Sequence, residues 1–127
     1  MNREVLLYEL RTLRSAGRKA DAILEARTRH EKRLAYLNAN HQEKEIAACI
    51  DRLLALDPSS ALAAAASLEE KYLPYLLSLD AIDSTIMIES FINGKPYWKV
   101  GKKVGYSASG VQKRVGRIVS HLSKIIP

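Results

Sequence analysis

Apolar residues recur every three or four positions along most of this chain, and this spacing restricts the fold more than any other feature. In the first third they fall at Leu6, Leu10, Leu13, Ala20 and Leu24, with Gly17 filling the gap between Leu13 and Ala20; this is the rhythm of a helix with one apolar stripe. No stretch shows the alternation of β-branched residues that a strand requires, and no Asn-Gly hairpin turn occurs. We therefore predict an all-α fold that begins with a coiled-coil-like helical segment.

Turn and cap signals divide the pattern into successive helices. The first predicted helix ends in the Asn-rich stretch 38–42, and the second ends at residues 57–58. Ser59 or Ser60 is expected to cap the third helix. Pro74 is expected to kink or break that helix, because its ring clashes with the preceding turn and it lacks a donor N–H.

From residue 78 onward the predicted elements become short. Within residues 78–94 a helix is predicted with Asp80 as its N-cap and Gly94 just past its end, followed by two further helices over 97–104 and 108–124. Gly105 supplies a tight turn between the last two, which bulkier residues would resist. We accordingly divide the chain at residues 77/78. Residues 1–77 form an N-terminal helical region, and residues 78–127 form a C-terminal domain.

The last predicted helix is amphipathic. Its apolar side carries five aliphatic residues, with Val119 at the edge: Val111, Val115, Ile118, Leu122 and Ile125. Its other side carries small and basic residues: Ser109, Lys113, Gly116, Arg117, Ser120 and Lys124. In the helix before it, Gly101 allows a close crossing of the two. Two helices joined by a short glycine-containing turn are typical of a helix-turn-helix, whose second helix fits the major groove of DNA.

Charge is distributed unevenly along the chain. Residues 1–89 contain 12 Lys and Arg against 14 Asp and Glu, a net charge of −2. Residues 90–127 contain eight Lys and Arg and no acidic residue, a net charge of +8. A basic segment of this kind is typical of a nucleic-acid footprint, a disordered tail or a membrane-surface patch. The helical pattern favours the first of these.

The helix-turn-helix hypothesis assigns two sets of contacts. The first set stands at the exposed start of the last helix and is expected to read base edges: Ser107, Ala108, Ser109, Gln112 and Lys113. The second set is expected to contact phosphates: Tyr97, Lys99, Lys102, Lys103, Arg114 and Arg117. Trp98 is interpreted as a packing residue. The three histidines lie far apart, and neither a metal nor another cofactor is expected.

The stretches "FINGKPYWKVGKKVGYS" and "VQKRV" carry a family resemblance. Residues 78–126 resemble region four of bacterial sigma factors, and more closely the small phage and prophage late-gene regulators of the ArpU and RinA type. The resemblance implies promoter DNA binding by a C-terminal helix-turn-helix, with RNA polymerase as a further partner. This chain departs from the pattern at Pro96, where a Ser or Thr is usual. Gly110 and Gly116 within the last helix cost it up to about 1 kcal/mol each.

Together these observations predict a sequence-specific, DNA-binding transcriptional regulator of phage or prophage origin. The alternative is a small terminase-like DNA-packaging protein. An enzyme is not expected, because no Gly-rich phosphate loop, HExxH motif or nucleophile elbow occurs. The N-terminal helices are expected to supply polymerase contact or a homodimer interface. In the second case residues 1–56 pair through a seam of leucines: Leu6, Leu10, Leu13 and Leu24.

The expected compartment is the cytoplasm. The single Cys49 cannot form an internal disulfide, and the simplest inference from it is a reducing cytosol. The start of the chain is charged throughout and lacks the apolar stretch of a signal peptide. No apolar run is long enough to span a membrane, so no membrane partner is expected.

Overall fold

The computed structural model describes all 127 residues and contains helices and no strand, which confirms the all-α prediction. The helices are α1 Arg3–Ala39, α2 Glu43–Ala55, α3 Ser59–Leu77, α4 Ala81–Met87, a π-helical segment Ile88–Ile92, α5 Tyr97–Val104 and α6 Ala108–Ile125. None of the helices is both long and apolar enough to cross a membrane.

Side-chain caps fix the start of three helices. The Asn2 side chain accepts hydrogen bonds from the backbone N–H groups of Glu4 and Val5 at the start of α1. The carboxylate of Asp80 accepts from the N–H of Asp83 at 2.9 Å and begins α4, as predicted. Ser107 begins α6 in the same way. Each cap satisfies a backbone donor that the first helical turn leaves without a partner.

The start of the third helix differs from prediction. Its start is stabilised by Asp57, whose carboxylate accepts from the N–H of Ser59 at 3.0 Å, and not by Ser59 or Ser60 as a capping side chain. The hydrogen bond from the Ser59 N–H stabilises the charged carboxylate and so holds the pKa of Asp57 below its ordinary value. Pro74 does not break the helix, which continues to Leu77. Its exposed ring lies in the last turn, and the helix ends three residues after it.

One cluster of buried side chains holds the chain together. It combines residues of α1 and α3 with residues from every element after residue 80: Leu6, Leu10, Tyr72, Leu76, Ile86, Met87, Phe91, Val100, Val111, Val115, Ile118, Val119, Leu122 and Ile126. The cluster therefore includes side chains from both sides of the predicted boundary at 77/78. The N-terminal part of α1 and the C-terminal part of α3 pack directly on the helices that carry the candidate site.

The leucine seam of α1 is used inside the chain. Leu6, Leu10 and Leu13 are buried at 0%, 0% and 2% exposure, whereas Leu24 is 42% exposed. The prediction that this seam pairs with a second copy is therefore wrong, because three of its four side chains already pack on the chain's own core. A homodimer formed through another surface stays a prediction.

The apolar stripe of α6 follows the prediction up to its last turn. Val111, Val115, Ile118 and Leu122 are buried, and Val119, expected at the edge, is fully buried. Ile125 is 48% exposed, and Ile126 takes its place in the core at 4% exposure. The backbone becomes extended at Ile126, so the helical periodicity that placed Ile125 inward no longer applies there.

Candidate nucleic-acid interface

Two glycines shape the link between α5 and α6. Gly105 ends α5 in the left-handed conformation, with a φ of 81°, which side chains disfavour. Gly101 is buried, and a Cβ there would clash with the carbonyl oxygen of Tyr106. The predicted tight turn at Gly105 is confirmed, whereas the close approach at Gly101 is made by the backbone of the link and not by α6. Residues 105–107 therefore connect α5 to α6 as a three-residue link.

Ser107 organises the amino end of α6. Its hydroxyl oxygen accepts from the N–H of Gly110 at 3.0 Å and lies 3.3 Å from the hydroxyl of Ser109. A Cβ at Gly110 would lie 3.1 Å from that same oxygen, tighter than an ordinary contact. Gly110 therefore leaves room for the cap. The predicted base-reading residues are all exposed: Ser107, Ala108, Ser109, Gln112 and Lys113.

The exposed face of α6 has two flanks. On the α1 side, Gln112 lines a concavity of about 190 Å³ together with Arg3, Arg11 and Tyr97. On the α4 side, Arg114 pairs with Asp83. Lys113 lies between these flanks. It lines two further concavities, one on each side of its side chain. Of the predicted base-reading residues, Lys113 is thus centred on the exposed face and Gln112 stands at its α1 edge.

On α5 the exposed indole of Trp98 lies close to two lysine side chains. The ammonium groups of Lys99 and Lys102 lie 5.5 and 5.2 Å from the centre of its ring, within cation–π range. Trp98 is 52% exposed, so the interpretation of this residue as a packing residue is wrong. Tyr97 next to it is half-buried, with the guanidinium of Arg14 at 5.2 Å from its ring.

Glu89 holds one of the predicted phosphate contacts. Its carboxylate accepts from Lys103 at 3.3 Å, pairs with Lys95, and accepts from the Asn93 side chain at 3.0 Å. Glu89 is only 8% exposed. The hydrogen bond from Lys95 holds the pKa of Glu89 below its ordinary value; Lys103 and Asn93 add to this effect and burial opposes it. Lys103 is thus partly neutralised within the fold.

Asp83 holds another predicted phosphate contact. The carboxylate of Asp83 binds Arg114 through two hydrogen bonds, from Nε at 2.6 Å and from Nη2 at 3.1 Å. These bonds raise the pKa of Arg114 above its ordinary value. Lys113, Arg117 and Lys124 on the same helix have no carboxylate partner within 4.0 Å. The free positive charge of α6 is therefore carried by these three residues.

The first helix supplies contacts that the sequence did not predict. The guanidinium of Arg3 donates to the hydroxyl of Ser120 on α6 at 2.8 Å and to the carbonyl of Gly116 at 3.4 Å. Further along α1, Arg18 donates to the carbonyl of Gly94 at 2.7 Å and Arg14 to the carbonyl of Lys95 at 3.3 Å. Partial burial lowers the pKa of Arg14. Residues of α1 thus fix both the loop before α5 and the later half of α6.

Neither a metal site nor a relative identifies the function. No group of three or more His, Cys, Asp and Glu side chains is placed to hold a metal ion. Cys49 is buried, and its thiol donates to the carbonyl of His30 at 3.3 Å. No protein-family model, no curated protein and no solved structure matches this chain. The candidate interface is defined by its own geometry and charge.

Proposed function

We propose that α5, the link 105–107 and α6 form a helix-turn-helix that binds double-stranded DNA sequence-specifically, and that the chain is a transcriptional regulator. One observation carries the proposal. The exposed face of α6 begins at an amino end that Ser107 caps and where Gly110 leaves room for the cap. It continues into cations without a carboxylate partner, and no acidic residue follows Glu89 in the chain. An amino end of this kind fits the major groove, and unpaired cations suit the phosphates beside it.

In this arrangement the two helices have different roles. The amino end of α6 enters the groove, where Gln112 can make a bidentate contact with adenine and Lys113 can reach guanine. Helix α5 crosses the backbone, where Lys99 and Lys102 beside Trp98 contact phosphates. No catalytic step or cofactor belongs to this function.

The finer parts of the proposal rest on the resemblance of residues 78–126 to the ArpU and RinA type of regulator. They are a phage or prophage origin, a promoter as the bound DNA, and RNA polymerase or a second copy of this chain as a further partner. A cytoplasmic location follows from the same proposal, because the promoter DNA of a bacterium lies there.

A binding-site selection from random duplexes tests the proposal, followed by fluorescence anisotropy on the selected duplex over a range of salt concentrations. Three or four phosphate contacts should give a slope of log affinity against log salt of about −3 to −4. Lys102→Ala should weaken binding to the selected and to an unrelated duplex alike. Lys44→Ala on α2, also an exposed lysine without an ion pair, is the matched control and should change nothing. A slope near zero, or no enriched motif, contradicts the proposal.

A further inference from the structure

A basic cleft lies between the first turn of α1 and the later half of α6. It is an open concavity of about 550 Å³ with no hydrophobic residue in its lining. We call it the Arg3 cleft. Its polar side chains are Arg3, Lys113, Arg117, Ser120, His121 and Lys124. Only Lys113 and Arg117 belong to the contacts that the sequence predicted, so most of the cleft lies outside the proposed helix-turn-helix contacts.

The charge of the cleft is uncompensated. Arg3, Lys113, Arg117 and Lys124 are cationic, and none has a carboxylate within 4.0 Å. Elsewhere the chain does pair its cations across elements, as with Lys71 and Glu9. Four like charges around one concavity repel one another and focus a positive potential in it. An anion bound in the cleft would relieve this repulsion.

The guanidinium of Arg3 is positioned for such an anion. Its hydrogen bonds to Ser120 and Gly116 use Nε and one N–H of Nη2. An arginine has five N–H donors in a fixed plane, so three remain free. The hydroxyl of Ser120 in turn donates to the carbonyl of Gly116 at 3.0 Å. This bond fixes the Ser120 oxygen that accepts from Arg3 and thereby fixes the guanidinium. A fixed guanidinium with free N–H groups suits the oxygens of a phosphate.

We propose that the Arg3 cleft binds the DNA backbone beyond the groove that the start of α6 reads, so that the first helix takes part in DNA binding. This inference rests on the proposed function and adds to it a second, separate phosphate site. The 18 residues of α6 span about 27 Å, whereas the major groove is about 12 Å wide. With its amino end in the groove, the later half of α6 extends over the flanking backbone.

The spacing of the cations favours a polymer over a free phosphate ion. Arg117 and Lys124 are seven residues apart, about 10 Å along the helix axis. That separation suits different phosphates of one DNA strand better than a single free phosphate. The cleft is also wide open, which admits a continuous backbone.

Arg3→Ala and Lys124→Ala test the inference on the full chain with the selected duplex. Each variant should weaken binding about threefold to tenfold and make the salt slope shallower by about 0.9, because one phosphate contact is lost. Arg33→Ala is the matched control, since Arg33 is an exposed arginine of the same helix without an ion pair. In phosphate ethylation interference, ethylation of a contacted phosphate weakens binding. The phosphates whose ethylation no longer matters in Arg3→Ala should differ from those whose ethylation no longer matters in Lys102→Ala.

Folding and the source of the phosphate are controlled separately. Circular dichroism records the melting temperature of each variant. If Arg3→Ala is unstable, Lys124→Ala, with its exposed side chain, decides the outcome alone. Ser120→Ala keeps every charge but releases Arg3, and it should weaken binding less than Arg3→Ala does. Titration with inorganic phosphate alone should produce no saturable change at millimolar concentration.

The outcomes separate the two proposals. Unchanged affinity and salt slope in folded Arg3→Ala and Lys124→Ala overturn the Arg3 cleft as a DNA site and leave the helix-turn-helix proposal standing. Saturable binding of inorganic phosphate that Arg3→Ala abolishes, with DNA affinity unaltered, overturns the DNA backbone as the ligand. A wild-type chain that binds no duplex at all overturns both proposals.

Discussion

The carboxylate of Asp83 on α4 and the guanidinium of Arg114 on α6 form a two-point ion pair, with Nε to Oδ1 at 2.6 Å and Nη2 to Oδ2 at 3.1 Å. Asp83 also donates its backbone N–H to the capping carboxylate of Asp80. The amino end of α4 is thereby linked to the middle of the helix that we propose reads DNA. Because Arg114 is bound to Asp83, its guanidinium is less free to contact a phosphate.

Asp83→Asn should therefore change stability and DNA binding in opposite directions. The substitution removes the charge that holds Arg114 and keeps the backbone N–H that Asp80 caps, so the melting temperature should fall. DNA affinity at low salt should rise, because Arg114 is released and a negative charge near α6 is lost. Circular dichroism and anisotropy measure the two effects. Asp21→Asn, an exposed acid of α1, is the control and should show neither. A loss of affinity with an unchanged melting temperature would contradict the assignment.

Gly101 and Gly105 should respond differently to substitution by alanine. A Cβ at Gly101 meets the carbonyl oxygen of Tyr106, and backbone cannot move aside easily. Gly101→Ala should therefore cost about 1–3 kcal/mol of folding free energy. A Cβ at Gly105 meets nothing within 4 Å, so Gly105→Ala carries only the cost of the left-handed conformation, about 1 kcal/mol. Urea unfolding of both variants checks this. Equal costs, or a larger cost at Gly105, would show that the contact of Gly101 with the Tyr106 carbonyl does not limit stability.

Glu89 should contribute stability that depends on pH. Its pKa in the folded chain lies below the ordinary value of about 4.3, so the contribution is fully present above that value and is lost as the pH falls through the folded pKa. Glu89→Gln should lower the free energy of unfolding by about 1 kcal/mol at pH 7 and by much less near pH 3. Urea unfolding at both pH values tests this, with Glu25→Gln on an exposed site as the control. A difference that stays constant with pH would exclude the ion pairs as its cause.

The features that the sequence predicted correctly depend on neighbouring residues. Asp80 and Ser107 cap helices through N–H groups three residues away, and Gly105 is required by the local backbone. The missed features join residues that are far apart in the chain. Arg3 and Ser120 are 117 positions apart, and nothing in the pattern around either residue indicates the other.

The burial of apolar side chains could be predicted for α6 but not for Trp98 or for the partner of the α1 seam. The buried stripe of α6 could be read from its period because one face of a surface helix must pack. Trp98 was interpreted as a packing residue, but it is half-exposed and lies within cation–π range of two lysines. The seam of α1 was recognised as apolar, but periodicity cannot tell whether such a seam packs within the chain or against a copy.

Truncation of the α1 leucines should separate packing within the chain from pairing between chains. Leu10→Ala removes a fully buried side chain and should cost about 2–5 kcal/mol. Leu24→Ala, at a site that is 42% exposed, should cost less than about 0.5 kcal/mol. Urea unfolding gives both values. Sedimentation velocity of the same variants should show one unchanged species; a dimer that Leu10→Ala dissociates without unfolding the chain would contradict the packing of this seam within the chain.

Gln112 and Lys113 should specify DNA sequence, whereas Val111 should only hold α6 in place. Both polar side chains are exposed on α6, and Val111 is fully buried. Losing one two-point base contact should cost about 1–3 kcal/mol at one position of the selected site and relax the preference there. Binding-site selection with Gln112→Ala and Lys113→Ala measures this, and circular dichroism confirms folding. Val111→Asp buries an unpaired charge and should abolish specific and non-specific binding together by unfolding the unit.

The two alanine variants also test the position of the reading surface on α6. Lys113 is centred on the exposed face, while Gln112 stands at the edge beside Arg3 and Tyr97. Lys113→Ala should therefore relax the motif more than Gln112→Ala does. If both folded variants select the wild-type motif with the same stringency, these residues do not read bases. Sequence specificity would then come from the amino end of the helix, at 107–109, where the Ser107 cap positions the backbone against the groove.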